Sequence, residues 1–147
     1  MIRTIVPDVI KDQVLASVSP ADTVRTAARL MTERKIAAVL VMESERLVGI
    51  ITERDMTARV VAFARSAETK CREIMTVNPD TLSPDDTAVD AIAMMRSRGY
   101  RHLPVVDGDT VIGMVSVRDL YAVYNTELVE DLRDREAFIY GERYGTA

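Results

Sequence analysis

Gly113-Met114-Val115-Ser116-Val117-Arg118-Asp119 is the stretch that decides the fold. Gly113 opens it, Met114 and Val115 are apolar, and Ser116 is a residue type that caps helices. The stretch therefore reads as a strand running into a helix start. Asp119, three residues after Ser116, is placed where a carboxylate reaches back to the first turn. The same residue classes recur in the same order at Gly49-Ile50-Ile51-Thr52-Glu53-Arg54-Asp55. The offset of 64 positions extends without a gap far beyond the two heptapeptides. Ser19-Pro20 answers to Ser83-Pro84, Asp22-Thr23 to Asp86-Thr87, and Ala27, Met31, Arg34 and Val41 to Ala91, Met95, Arg98 and Val105. Register kept over that length identifies a tandem duplication of one supersecondary unit.

The 147 residues suffice for one compact domain, and two units of about 60 residues each are marginal alone, so the units are expected to share a core. Apolar residues make up 48% and charged residues 29%, which is ordinary for a soluble globular chain. A net charge of −4 argues against a general nucleic-acid or anionic-membrane binder. The single cysteine, Cys71, excludes an intrachain disulfide and a cysteine-cluster metal site. It lies between Lys70 and Arg72, which favour a thiolate, yet no partner base is in evidence. With no apolar run of membrane-spanning length and no signal-peptide pattern at Met1–Pro7, the expected location is the cytoplasm.

Residues 1–12 read as a lead-in, with Val14–Val18 extended. A helix over roughly 22–34 has Val24, Ala27, Ala28 and Met31 on its inner face. Ile36–Met42 and Leu47–Ile51 form a hairpin around Glu43–Arg46. Thr52 caps a helix over about 52–65, with Met56, Val60, Val61 and Phe63 apolar. Ser66–Lys70 links the units. In the second, Ile74–Leu82 is lead-in and extended segment. Asp86–Ser97 is a helix with Val89, Ala91, Ile92 and Met95 on its apolar side, ended by Gly99. His102–Val106 and Val111–Val115 are strands joined at Asp107-Gly108. A last helix starts at Ser116 and runs past 130, with Leu120, Val123, Leu128, Leu132 and Phe138 as an apolar stripe. The stripe is either a subunit interface or folds back on its own domain. The expected division is 1–66, first repeat with its lead-in; 67–73, linker; 74–125, second repeat; 126–147, helical extension.

The unit β-α-β-β-α, ending in Gly-apolar-apolar-Thr/Ser-x-Arg-Asp before a helix, resembles the CBS domain, named for cystathionine β-synthase and found as tandem pairs called Bateman modules. Tyr100-Arg101-His102-Leu103-Pro104-Val105-Val106-Asp107 is similar to that family's first hairpin strand. The resemblance covers about residues 7–125. It implies an α+β fold of two repeats about a pseudo-twofold axis, with small sheets packed together and helices outside. It also implies two clefts between the repeats that take AMP, ADP, ATP, NAD or S-adenosylmethionine derivatives, pairing into a flat homodimer, and a sensing role.

The residues suit such a ligand. A carboxylate accepts from both ribose hydroxyls, and each charge-assisted bond is worth about 1.5–3 kcal/mol. That makes Asp55 and Asp119 candidate ribose ligands. Thr52 and Ser116 add hydroxyls beside helix starts that favour phosphate, and Arg54 and Arg118 add countercharge. Ile36, Ala37 and Ala38 on one side, and Leu103 and Pro104 on the other, offer an apolar slot for adenine. The same Thr/Ser-x-x-Asp spacing is that of a capping box. On that reading the carboxylates only stabilise helix ends, by about 0.5–2 kcal/mol. Because Arg101 and His102 precede the second buried strand where the first repeat has Ala37 and Ala38, the Asp119 cleft is expected to carry spare positive charge. It should then bind phosphorylated ligands more tightly, leaving the Asp55 cleft Arg54 and Lys35.

Three functions compete: a ligand-sensing module acting on an effector protein in trans, a dimerisation scaffold with empty clefts, and an enzyme. The last has least support, since no nucleophile–base pair, glycine-rich phosphate loop or paired histidine ligands occur. No catalytic residue, metal site or obligatory cofactor is assigned; an adenine nucleotide is the expected ligand, with no nucleic-acid or membrane partner.

Overall fold

The computed structural model describes residues 2–140. Its elements follow one plan twice. The first repeat has β1 (Ser17–Val18), α1 (Val24–Arg34), β2 (Ala38–Glu43), β3 (Arg46–Thr52) and α2 (Glu53–Asp55), which continues as a π-helical stretch over Met56–Val61. The second has β4 (Thr76–Val77), α3 (Ala88–Arg98), β5 (His102–Asp107), β6 (Thr110–Ser116) and α4 (Val117–Tyr140).

Local chemistry sets each boundary. Thr23 and Thr87 begin α1 and α3 by accepting from the N–H of Thr26 (3.2 Å) and Asp90 (3.1 Å), satisfying donors that have no partner inside the helix. Val24, Ala27 and Met31, and their counterparts Ala88, Ala91 and Met95, form the buried stripes at helical spacing. Val89, assigned to the buried side, is instead 66% exposed, because it falls one position after the stripe. Val61 and Phe63 are likewise exposed, since the π-helical stretch turns them away from Val60.

Both hairpins are antiparallel and slip register at equivalent places, Val41/Met42 and Val105/Val106. β1 lies parallel to β2, and Leu82 bridges Val105 in the same sense. β4 then crosses over to pair antiparallel with β3, Gly49 opposite Val77, so the first repeat's sheet has the order β1-β2-β3-β4 and borrows a strand from the second. In the mirrored position the loan is reduced to one bond: the Met114 N–H of β6 donates to Gln13 Oε1 at 2.6 Å. A glycine lies at each crossing. A Cβ on Gly49 would lie 2.6 Å from Met75 Sδ, and one on Gly113 2.5 Å from Ile10 Cδ1.

The lead-in does not serve the repeat it precedes. Ile5 and Ile10 are buried with Leu82, Ala91, Leu103 and Leu120 in the second repeat's core, while Cys71 and Ile74 complete the first core beside Val24, Val39 and Ile51. Matching backbone bonds hold the two segments. Ile5 N–H donates to Asp86 O (2.8 Å) and Cys71 N–H to Asp22 O (2.8 Å); Val6 N–H donates to Pro84 O (3.1 Å) and Arg72 N–H to Pro20 O (3.0 Å). α4 packs on α3 and on the Ile5–Val9 turn, with Leu120 fully buried and an Arg3–Glu130 ion pair at 3.2 Å. Leu128 and Leu132 are half exposed, and the side chain of Phe138 lies outside the described residues.

Removing the Ile5 side chain therefore empties a filled position in the second core. Ile5→Ala is expected to cost about 2–5 kcal/mol in urea denaturation, whereas Ile2→Ala, at a residue 77% exposed, should change stability by less than about 0.5 kcal/mol.

Candidate functional site

Each heptapeptide ends its strand at a capping residue whose first helical N–H is tied back to the start of the neighbouring strand. Glu53 N–H donates to Ala37 O at 2.9 Å, and Val117 N–H to Arg101 O at 2.8 Å. Two hollows open beside these junctions, on the seam where β3 of one repeat meets β6 of the other.

The capping box is real at both junctions. Thr52 N–H donates to Asp55 Oδ2 at 2.9 Å and Asp55 N–H donates to Thr52 Oγ1 at 3.3 Å. Ser116 N–H donates to Asp119 Oδ2 at 2.8 Å and Asp119 N–H to Ser116 Oγ at 3.2 Å. Capping engages only one oxygen of each carboxylate. Asp55 Oδ1 faces Arg59 Nε at 3.7 Å, and Asp119 Oδ1 has no hydrogen-bond partner among the described residues. Asp55 is 13% exposed and Asp119 half-buried, so neither faces open solvent. Capping and ligand binding are thus compatible uses of one side chain.

The first hollow, of about 430 Å³, is lined by Thr52, Arg54 and Asp55 of the first repeat and by Pro79, Asp80, Tyr100 and Arg101 of the second. The second, of about 870 Å³, is lined by Asp119 and Met114 of the second repeat and by Leu15, Ala16, Lys35 and Ile36 of the first. Both volumes fall in the range of small-molecule sites, about 300–1,000 Å³. Each hollow joins the carboxylate of one repeat to the strand starts of the other.

That crossing reverses the expected distribution of cations. Arg101 lines the Asp55 hollow, not the Asp119 hollow, and Lys35 lines the Asp119 hollow, not the Asp55 one. The Asp55 side therefore has more cations, Arg54, Arg101 and Arg118, set among the carboxylates of Glu53, Asp55 and Asp80. Ala37, His102, Ser116 and Arg118 reach both hollows; Ala38 and Ile36 line only the Asp119 hollow and Leu103 only the Asp55 hollow. Pro104 lines neither: it is fully buried in β5, where its carbonyl accepts from Leu82 N–H at 2.8 Å. Leu103 and Pro104 are both fully buried, but only Leu103 borders a hollow.

Tyr100, Asp80 and Glu53 are lining residues that the motif did not single out. Asp80 pairs with Arg98 at 2.7 Å and also holds the Tyr100 hydroxyl, raising its pKa above the ordinary phenol value. The sequence signal was available, since Tyr100 and Asp80 occupy the second-repeat positions of Ile36 and Ala16, which line the other hollow. Cys71 is buried, its Sγ donating to Thr23 O at 3.5 Å. Burial, helped by Asp22, pushes its pKa up to about 11, so Lys70 and Arg72 do not activate it.

A CBS-domain model matches residues 5–62 and again 71–125. A CBS domain-containing protein of Bacillus subtilis, YhcV, is 35% identical over 115 residues, 78% of this chain and 81% of YhcV. The chain belongs to the CBS-domain family. Among solved structures, a protein with CBS domains from Burkholderia ambifaria superposes with a TM-score of 0.77 at 35% identity, over 80% of this chain and 90% of that one. The CBS domain protein PAE2072 of Pyrobaculum aerophilum, solved in complex with AMP, shares the fold with a TM-score of 0.69 at 24% identity, over 76% of this chain and 86% of that one. Other curated relatives carry the matched region within longer chains, as 61% of one and 20% of another.

His102 is the one titratable group on the seam with a shifted pKa among the described residues that reach both hollows. Burial lowers its pKa below the ordinary 6.5; Asp119 opposes the shift, Arg101 adds to it, and Glu53 opposes it. The unfolded chain therefore binds a proton more readily than the native one. The resulting stability is complete above about pH 6.5 and is lost as the pH falls from there through the lower native pKa. Between pH 7 and pH 5, a His102→Gln variant should lose less thermal stability than the unaltered protein, measured as the shift in Tm.

Proposed function

We propose that this chain is a regulatory module of the cytoplasm that binds an adenine nucleotide, of the AMP, ADP, ATP or NAD type, in the seam between its two repeats. The observation that carries the reading is the half-used carboxylate. Asp119 engages Oδ2 in the cap and leaves Oδ1 beside a hollow that also presents Ser116, Lys35 and Arg118 and the apolar Ile36 and Ala38. Such a set matches a ribose, a phosphate and a purine face in turn. The Asp55 hollow repeats the set with Thr52, Arg54, Arg101 and Leu103. The AMP found in PAE2072 supports the ligand class.

In this reading the module changes state through unequal ligand affinity of two conformations and acts on an effector protein supplied in trans. Two copies pair into a homodimer. The half-exposed Tyr121, Tyr124, Leu128 and Leu132 on α4, within the 126–147 extension and just before it, form the face offered to a second protein. Among the described residues Ser116 makes no hydrogen bond to its cross-strand neighbour His102, its Oγ accepting instead from Asp119 N–H, so we assign no reaction.

The test separates binding from capping. Asn accepts the same backbone N–H as Asp but carries no charge. Asp119→Asn should therefore fold with little change in stability, yet weaken AMP in the Asp119 hollow about ten- to hundredfold by isothermal titration. Unchanged affinity in that variant, or no AMP binding to the unaltered protein, would leave the dimerisation scaffold as the better account.

A further inference from the structure

We infer that the pair holds two neutral adenosines independently but only one phosphorylated nucleotide at high affinity, because the two hollows share Arg118. The inference rests on the nucleotide-binding reading above and concerns how its two sites regulate each other. Ala37, Glu53, His102, Ser116 and Arg118 line both hollows, so one wall serves two sites.

Of the seam's cations, Arg54 and Arg101 belong to the Asp55 hollow alone and Lys35 to the Asp119 hollow alone. Arg118 is exposed, and its guanidinium makes no hydrogen bond or ion pair among the described residues. A guanidinium grips a phosphate through a planar fork, and it does so in one place at a time. Its counterpart across the pseudo-twofold, Arg54, has no access to the other hollow, so nothing replaces Arg118 once it is engaged.

The shared wall also carries a fixed negative charge. Glu53 faces both hollows, whereas the residue at its place in the second repeat is the apolar Val117. A phosphate seated against Arg54 and Arg101 draws Arg118 toward the Asp55 side. The Asp119 hollow is then left with Lys35 against Glu53 and Asp119, a net negative lining that disfavours a second anion. Adenosine needs only a carboxylate and an apolar wall; each hollow has its own carboxylate, Asp55 or Asp119, and, beside the shared Ala37, apolar residues of its own, Leu103 in one and Ile36 and Ala38 in the other. The coupling is reciprocal: whichever hollow fills first weakens the other for anions.

Isothermal titration of the full chain with adenosine and with AMP, at one fixed ionic strength, tests this. Adenosine should fill two independent sites per chain. AMP should fill one site tightly and a second about tenfold or more weakly, within the usual 5- to 150-fold span of such couplings. Arg118→Gln should weaken the first AMP step, leave the second nearly as it was, and so narrow the gap between them. Two equal AMP sites in the unaltered protein, a single adenosine site, or a gap that Arg118→Gln leaves unchanged each overturns the coupling while nucleotide binding stands. Absence of binding by both compounds overturns the nucleotide reading itself.

Discussion

Neither repeat fills its own core. Ile5 and Ile10 enter the core built on α3 and β5, and Cys71 and Ile74 enter the one built on α1 and β2. Each of these segments runs in from ahead of the opposite repeat and passes under a glycine, Gly113 or Gly49, where a methyl group would collide. Two units of this size are marginal alone. Exchanging lead-ins joins their stabilities, because unfolding one half strips buried side chains from the other. The seam is a consequence of that exchange, since the crossing segments bring Leu15 and Pro79 to the mouths of the hollows.

Head-to-tail assembly explains the electrostatics of the site. A residue at the start of a strand in one repeat faces the carboxylate of the other, so Arg101 serves Asp55 and Lys35 serves Asp119. The capping boxes are equally part of the arrangement. Fixing Oδ2 of Asp55 and Asp119 on backbone N–H groups holds each carboxylate in one orientation, which would lower the entropy cost of binding the proposed ligand.

The 64-residue offset made the duplication, the hairpins, the caps and both heptapeptides readable, because those depend on local spacing and on glycine and threonine chemistry. What an offset does not report is which unit a lead-in joins. The equivalent bonds of Ile5 and Cys71, and of Val6 and Arg72, are spaced two positions wider than the repeat itself, so these segments fall out of register with the rest. The misplaced cations have the same root, since they were assigned to the repeat that encodes them. Pro104, and the exposure of Val61 and Phe63, escape the sequence for a narrower reason. Pattern alone does not show where a strand dips into the core or where an α-helix loosens into a π-helical stretch.

The two halves also differ in how they bend. α3 ends at Gly99 and the second hairpin turns at Gly108, both with positive φ, as suits a residue lacking a Cβ. The first half makes the same bends at Lys35 (φ 55°) and Ser44 (φ 49°), where a side chain makes the left-handed conformation unfavourable by about 1–2 kcal/mol. At Lys35 that strain keeps an ammonium group on the rim of the Asp119 hollow. Selection for heat resistance would favour glycine at this one codon, relaxing the backbone, whereas the anion binding proposed for the Asp119 hollow would favour lysine, keeping the charge.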